Sequence, residues 1–454
     1  MTKSRDRGKS PLSLRPPLAC AWIGAIAVLL AARSGMAQTT PKPPNPWLAE
    51  HLGELVELYT HLHTHPELSY HEVETSKRIA GELEKAGAKT TSHVGKLGVV
   101  GVLENGPGPV VLVRTDMDAL PVTEETNLPY ASKVKVRDQS GREVGVMHAC
   151  GHDVHMTCLI GTARWLASHR DRWAGTVLFI GQPAEEAIDG ARSMLDAGLY
   201  KRFPKPKYAL ALHCASDVPV GSVAYVSGPT LASSTSLLVT IRGKGGHGAW
   251  PHRTVDPVVL SALLILDLQT IVSREVEPIE PAVVTVGSIH GGTKHNIIPD
   301  EVKLQLTLRS FSEPVRELLV EAIKRRATSL AAAHRAPEPS VVVEETTPPT
   351  INSPDLVERV VPAFVEALGA AHVKVAKPVM GAEDFGLFGE GGIPIFMFWL
   401  GTQSPERIAA ALAKNEPLPA LHSARFAPEA AAAIDTGVRA MTAAVIQLLP
   451  PKSP

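Results

Sequence analysis

In Val110-Val111-Leu112-Val113-Arg114-Thr115-Asp116-Met117-Asp118 an apolar run breaks abruptly into charge. Val110 to Val113 lacks the apolar–polar alternation of a half-exposed strand. It is therefore expected in the middle of a sheet, covered on both faces. Open α/β sheets bind ligands beyond the carboxyl ends of their strands, which is where Asp116 and its neighbours stand. The same segment also reads as an ordinary strand-to-loop junction with solvated carboxylates.

The flanking sequence has the same character. Leu48, Leu52, Leu55, Val56, Leu58, Tyr59 and Leu62 recur at spacings of three and four, which predicts a helix ended by His65-Pro66-Glu67. A second helix is expected over residues 70–86, stopped by Gly87. Residues 89–93, 97–103, 175–181 and 208–213 read as strands, and 157–169 and 190–199 as helices. Strands alternating with helices imply an α/β sheet with helices on both faces. From Pro229 the order changes. Strand 236–242, helix 255–274, strands 282–289 and 302–310, helix 314–333 and strand 340–345 follow one another. This β-α-β-β-α-β order predicts a ferredoxin-like α+β unit. After Pro348-Pro349 the α/β pattern resumes, with helices 355–368 and 428–449 and strands 374–375 and 395–400. The expected layout is an α/β sheet domain, 47–228 and 347–450, interrupted by an inserted α+β domain, 229–346.

The chain has 454 residues, 44% hydrophobic and 20% charged, an ordinary globular composition too long for one core. A net charge of −1 and the lack of a basic stripe argue against nucleic acid as a partner. Lys3, Arg5, Arg7, Lys9 and Arg15 precede an apolar run over 18–32, and Gly35-Met36-Ala37 follows. This is the layout of a signal peptide over 1–37, cut after Ala37, with a Pro/Thr linker over 38–46. An uncleaved anchor is the alternative, but the run is short for a bilayer. The expectation is an exported protein, periplasmic or secreted, with no stable membrane insertion after cleavage. Beyond the signal, Cys150, Cys158 and Cys214 are odd in number, so a disulfide framework is not expected.

Several segments could carry chemistry. Cys150-Gly151-His152 offers a thiolate and an imidazole donor, and the glycine lets both face one point. A buried cysteine beside a surface histidine is the commoner origin of such a pair. In Gln182-Pro183-Ala184-Glu185-Glu186, adjacent carboxylates could divide the work, one binding a metal and the other taking a proton. Paired acids at a helix start are also common. His213 closes the expected strand 208–212, and His422 lies in the returned α/β segment. In the inserted unit, Gly243-Lys244-Gly245-Gly246-His247-Gly248 lacks the ending of a phosphate loop and opens no helix. It reads as a tight turn presenting His247. Asn296 and Arg309 are candidate anion contacts or plain surface residues.

Together these motifs resemble a known family. Arg-Thr-Asp-Met-Asp-Ala-Leu-Pro (114–121), Met-His-Ala-Cys-Gly-His-Asp (147–153), Gln-Pro-Ala-Glu-Glu (182–186), Gly-Lys-Gly-Gly-His (243–247), His-Asn-Ile-Ile-Pro (295–299) and Gly-Ala-Glu-Asp-Phe (381–385) occur in order, with His65-Pro66-Glu67-Leu68 before them. The chain is similar over nearly its whole length to M20 metallopeptidases, in the amidohydrolase branch of hippurate, N-acyl-amino-acid and auxin-conjugate hydrolases. The resemblance implies a catalytic domain with an inserted lid and dimerisation domain. It implies two divalent metal ions (zinc, manganese, cobalt or nickel) held by Cys150, His152, Glu186, His213 and His422. Glu185 falls on the general base and Asp116 on an acid that buttresses the site. His247 falls on an oxyanion contact, often supplied by the other subunit, and Asn296, Arg309 and Gly381 on substrate-binding positions. Arg114 stands where the wider family has a histidine ligand. After His422 the chain reads Ser-Ala-Arg-Phe, where relatives usually carry Asn-Pro and an acidic residue. The implied reaction is amide hydrolysis of a small N-acyl amino acid by a homodimer. Alternatives are a dipeptidase or aminoacyl carboxypeptidase on the same scaffold, or a non-catalytic exported binder. The intact Glu185/Glu186 pair argues against the binder.

Overall fold

Eight strands form the larger sheet, in the spatial order Lys89–Val94, Gly98–Asn105, Gly175–Gln182, Val110–Asp116, Tyr208–Pro219, Ile395–Gln403, Val223–Tyr225 and Val373–Val375. The structure is a computed structural model that describes residues 46–137 and 141–451. The expected signal peptide and all but the last residue of the linker lie outside the described residues. Val110–Asp116 sits in the middle, parallel to both neighbours. Val111 and Val113 pack with the helices Pro46–Thr64, Val73–Lys85, His152–Ser168, Pro354–Leu368 and Ala430–Leu448. Leu112 faces the other layer, among Ala191, Met194, Phe385 and Phe388. Successive side chains thus enter opposite cores, which is why the run is apolar without alternation. Each such side chain contributes about 1.5–3 kcal/mol by burial.

The inserted unit has its own four-stranded antiparallel sheet, in the order Ala282–His290, Glu301–Ser310, Ser234–Arg242, Ser340–Thr347. Helices Pro257–Arg274 and Glu313–Ala333 cover one face, where Leu260, Leu264, Leu319 and Ile323 meet Leu237, Val239, Leu304 and Leu306. The β-α-β-β-α-β order is the one expected. The chain crosses between the two units twice, and the crossings are tied together. Gly228–Leu231 pairs with Thr350–Asn352, and at the first crossing Ser233 N–H donates to the Ser310 carbonyl of the inserted sheet (2.7 Å).

Three departures from the sequence reading bear on the site. The helix expected from residue 157 begins at His152, so His152 and His155 lie in its first turn. The strand expected to close at His213 runs on to Pro219. A short hairpin, Lys135–Arg137 with Glu143–Gly145, was not anticipated at all.

Candidate metal and active site

The sheet brings the chemistry to one edge. Register pairs Asp116 with Gln182, and Trp399 with His213, so the central strands deliver their polar residues side by side. Between them enters the turn before helix His152–Ser168. Its N-cap, Gly151, has φ +84, and a Cβ there would lie 2.8 Å from Cys214 Sγ. Glycine is needed for both reasons. The turn sets Cys150 Sγ 3.6 Å from His213 Nε2, and both groups are buried.

Hydrogen bonds aim the two imidazoles. His152 Nδ1 lies 2.7 Å from the Asp118 carbonyl, and His213 Nδ1 lies 2.9 Å from the Cys214 carbonyl. With each Nδ1–H donating to a carbonyl, each Nε2 lone pair is free to bind a cation. His152 Nε2 stands 3.7 Å from Asp116, 3.7 Å from Glu185 and 3.8 Å from Glu186. His155 differs. Its Nε2 accepts the Cys214 backbone N–H (2.8 Å) and its Nδ1 donates to Asp116 (2.8 Å), so it braces Asp116 and has no lone pair left for a metal.

The acid pair is held by its own backbone. Glu185 N–H and Glu186 N–H both donate to the buried Asp118 carboxylate, at 3.1 and 3.0 Å. Ala184, at φ +50, donates its N–H to Glu72 (2.8 Å). Three consecutive amides thus bind two buried carboxylates, fixing a turn that a non-glycine residue adopts only under constraint. Burial raises Glu72 to about 7, despite the N–H it accepts. Its contribution to stability is therefore complete below about 4.5 and is lost as pH rises through about 7. Glu72→Gln should flatten that part of the stability–pH curve. Urea midpoints of both proteins at pH 5 and pH 8 check this; identical slopes would refute it.

His422 also reaches the cluster. Its backbone N–H donates to the Ala149 carbonyl (2.9 Å), its φ is +68, and its Nε2 lies 3.4 Å from Glu186 Oε1. The altered sequence after it does not move it away. Cys150, Glu186 and His422 offer ligand atoms within 4.8 Å of one another, as do Cys150, His152 and His213, and His152, Glu185 and Glu186.

This donor set fits divalent metal ions. His152 Nε2 is buried without a hydrogen-bond partner among the described residues, and Glu186 Oε1 has only long contacts, to His422 and His152, which is costly unless something binds them. Burial, then the Glu186 and Glu185 charges, push the Cys150 thiol up. Burial alone would lower His152, yet Asp116 and the other acids raise it to about 10. The field that favours a proton on these atoms would equally favour a cation. Thiolate, imidazole and carboxylate together suit zinc, manganese, cobalt or nickel.

Behind the acids lies Arg114, 1% exposed. It contacts Asp116 (2.8 Å), Glu383 (3.0 Å) and Asp384 (3.2 Å), and donates to Gln182 (2.8 Å). Burial, then the Glu383 and Glu186 charges, hold Glu185 well above the usual carboxylate range. A carboxylate in that environment is a strong proton acceptor.

His247, Asn296 and Arg309 lie in the inserted unit and make no hydrogen bond or ion pair to the cluster among the described residues. His247 is exposed on Gly246–His247, paired with Ile297–Ile298. Arg309 is half-buried and donates to Thr307 and the Leu308 carbonyl, and among the described residues it pairs with no carboxylate. Gly381 is not at the cluster either; its carbonyl accepts the Ala232 N–H (2.9 Å) beside a crossing between the two units. The sequence reading missed His63, Glu72, Asp118 and His155 as site-supporting residues. Cys158 and Cys214 are buried and free, as expected of core cysteines.

A family model described as peptidase family M20/M25/M40 matches residues 112–436. The chain belongs to this family. As an M20 protein it is a metal-dependent amidohydrolase or metallopeptidase. It is 38% identical over 380 residues to IAA-amino acid hydrolase ILR1-like 2 of Arabidopsis thaliana, covering 79% of this chain and 83% of that one. It is 36% identical over 368 residues to N-acetylcysteine deacetylase of Bacillus subtilis, covering 78% and 89%. Among solved structures, the Bacillus subtilis YXEP protein, described as a dinuclear metal-binding peptidase from the M20 family, superposes with TM-score 0.72 at 31% identity. That match covers 88% of this M20 chain and 99% of the other.

Proposed function

We propose that the protein hydrolyses the amide bond of N-acyl amino acids, of the hippurate or N-acetyl kind, at a centre of two divalent metal ions. The observation that carries this reading is the division of labour between adjacent carboxylates on one clamped turn. Glu186 faces Cys150 and His422, while Glu185 faces inward among acids that raise its proton affinity. The ligands are Cys150, His152, Glu186, His213 and His422. The metals, when bound, polarise the amide carbonyl and acidify water. Glu185 takes the proton of the attacking water on a carboxylate oxygen and returns it to the leaving amine. Asp116, braced by Arg114 and His155, holds the His152 side of the site. His247 stabilises the oxyanion. Arg309 and Asn296 read the substrate carboxylate, and Gly381, beside a crossing between the two units, is assigned to substrate binding by family resemblance alone. A half-buried guanidinium facing no acid suits the carboxylate role.

Among the described residues His247 makes no hydrogen bond or ion pair to the cluster of its own chain, and the proposed reading has a second subunit deliver it. A homodimer through the lid domain is supported by exposed apolar residues on helix Pro257–Arg274 and edge strand Ala282–His290: Val259 (53%), Leu266 (69%) and Ile289 (50%). The proposed protein is exported, periplasmic or secreted, with residues 1–37 removed. N-terminal sequencing of the mature product tests the removal.

The direct test is hydrolysis of benzoyl-glycine, N-acetyl amino acids and dipeptides, with and without chelator. Cleavage of acylated substrates that is lost with chelator and restored by metal supports the reading. Cleavage confined to dipeptides would replace it with the dipeptidase or carboxypeptidase alternative. Metal binding without turnover of any member would favour a binder. Arg309→Ala should raise KM for acyl amino acids by about 10–100-fold, the cost of a charge-assisted hydrogen bond. It should leave the corresponding acyl amides, which lack the carboxylate, little changed. Equal losses on both would remove Arg309 from that role.

A further inference from the structure

Beside the metal cluster lies a second buried group of ionisable residues that the reaction does not use. His63, on helix Pro46–Thr64, is 1% exposed. Its Nδ1 lies 2.6 Å from Asp153 Oδ2 and its Nε2 lies 3.2 Å from Glu124 Oε1. Both carboxylates are buried, at 1% and 0% side-chain exposure. Burial alone would lower the His63 pKa, but the two acids raise it to about 10, so both ring nitrogens donate. Tyr130 packs edge-on against the ring at 5.4 Å and limits its rotation.

Each acid leads to a different ligand. Asp153 directly follows His152 and binds its own helix start, accepting the Val154 N–H at 2.9 Å. Glu124 precedes Glu125, whose N–H donates to the Ala424 carbonyl at 2.8 Å. Ala424 is two residues past His422. The Arg425–Glu125 ion pair (3.2 Å) makes a second tie to that loop. We propose that His63 is a positioning residue that locks the His152 turn and the His422 loop in register, so that ligands far apart in sequence present one preformed metal site. This rests on the metal-centre reading above. Imidazole suits the task because its two N–H groups point in nearly opposite directions and span two carboxylates. A glutamine amide reaches one of them.

The test is metal affinity of the full chain, by competition with a chelating dye, with the cobalt–thiolate absorption as a second signal. His63→Gln should weaken affinity by about 10–100-fold, as expected when support behind a ligand is lost. It should also shift the cobalt absorption and lower kcat on the best substrate with KM nearly unchanged. Leu58→Ala, a cavity on the same helix away from both acids, controls for general loosening and should leave metal affinity near the wild-type value. Glu124→Gln should show the His422 half of the effect alone. If His63→Gln binds metal like the wild type, or no worse than Leu58→Ala at matched loss of melting temperature, the proposal falls. A wild-type chain that binds no divalent metal would instead sink the metal-centre reading itself.

Discussion

Glu185→Gln should lower kcat by about two to four orders of magnitude while metal content and substrate binding persist. The amide is nearly isosteric with the carboxylate. Glu185 is not among the proposed ligands, and its backbone N–H, which Asp118 holds, is untouched. Only the proton acceptor is lost. Glu186→Gln should behave differently, because Glu186 sits with Cys150 and His422. It should lose metal first and activity as a consequence. Metal analysis alongside single-turnover rates separates the two variants. A Glu185→Gln protein with a tenth or more of wild-type turnover would remove Glu185 as the base.

The second large effect concerns stability. Arg114→Met should destabilise the fold by about 3–5 kcal/mol, the cost of breaking a buried ion pair from one side. Arg114 is the shared partner of Asp116, Glu383 and Asp384, all nearly inaccessible to water. Burial already raises Asp384 to about 7, with Arg114 opposing the rise. Without the guanidinium, Asp384 and Glu383 would hold protons to higher pH. The defect should therefore be largest in alkaline solution and shrink towards pH 5. Adding Asp384→Asn should recover part of it. Urea denaturation at the two pH values decides, and a loss below about 1 kcal/mol would show that the acids are solvated after all.

Much of this architecture is legible in the sequence, and the rest is hidden for identifiable reasons. The central strand announces itself because both its faces are buried. The start of helix His152–Ser168 does not. Nearly every residue of its first three turns is buried, so no 3.6-residue stripe is visible, and its N-cap glycine makes no side-chain cap bond. The Cys150, Glu186 and His213 positions stand out because each adjoins a recognisable strand or turn. Asp118 stands in the marked strand end, but its clamp on the Glu185 and Glu186 amides is not visible there, and Glu72 and His63 are single polar residues whose partners lie far along the chain. His422 was obscured by its unusual continuation, yet a backbone hydrogen bond to Ala149, blind to side-chain identity, brings it in. That His247, Asn296 and Arg309 make no hydrogen bond or ion pair to the cluster among the described residues was not legible, because motif order carries no information about the relative placement of domains.

The pairing of Tyr208–Pro219 with Ile395–Gln403 has a temporal meaning as well. These neighbours in mid-sheet are separated in the chain by the whole inserted domain. As the chain folds, the inserted domain can form its antiparallel sheet from one continuous stretch, while the larger sheet waits for its last long strand. Such non-local closure is slow. On the proposed ligand set, His422 arrives later still, so all five donors exist only after nearly the entire chain has been made. A truncated or half-made product would hold the acid pair but no complete centre. On the proposed ligand set, the complete group of donors forms only when both halves of the larger sheet have come together.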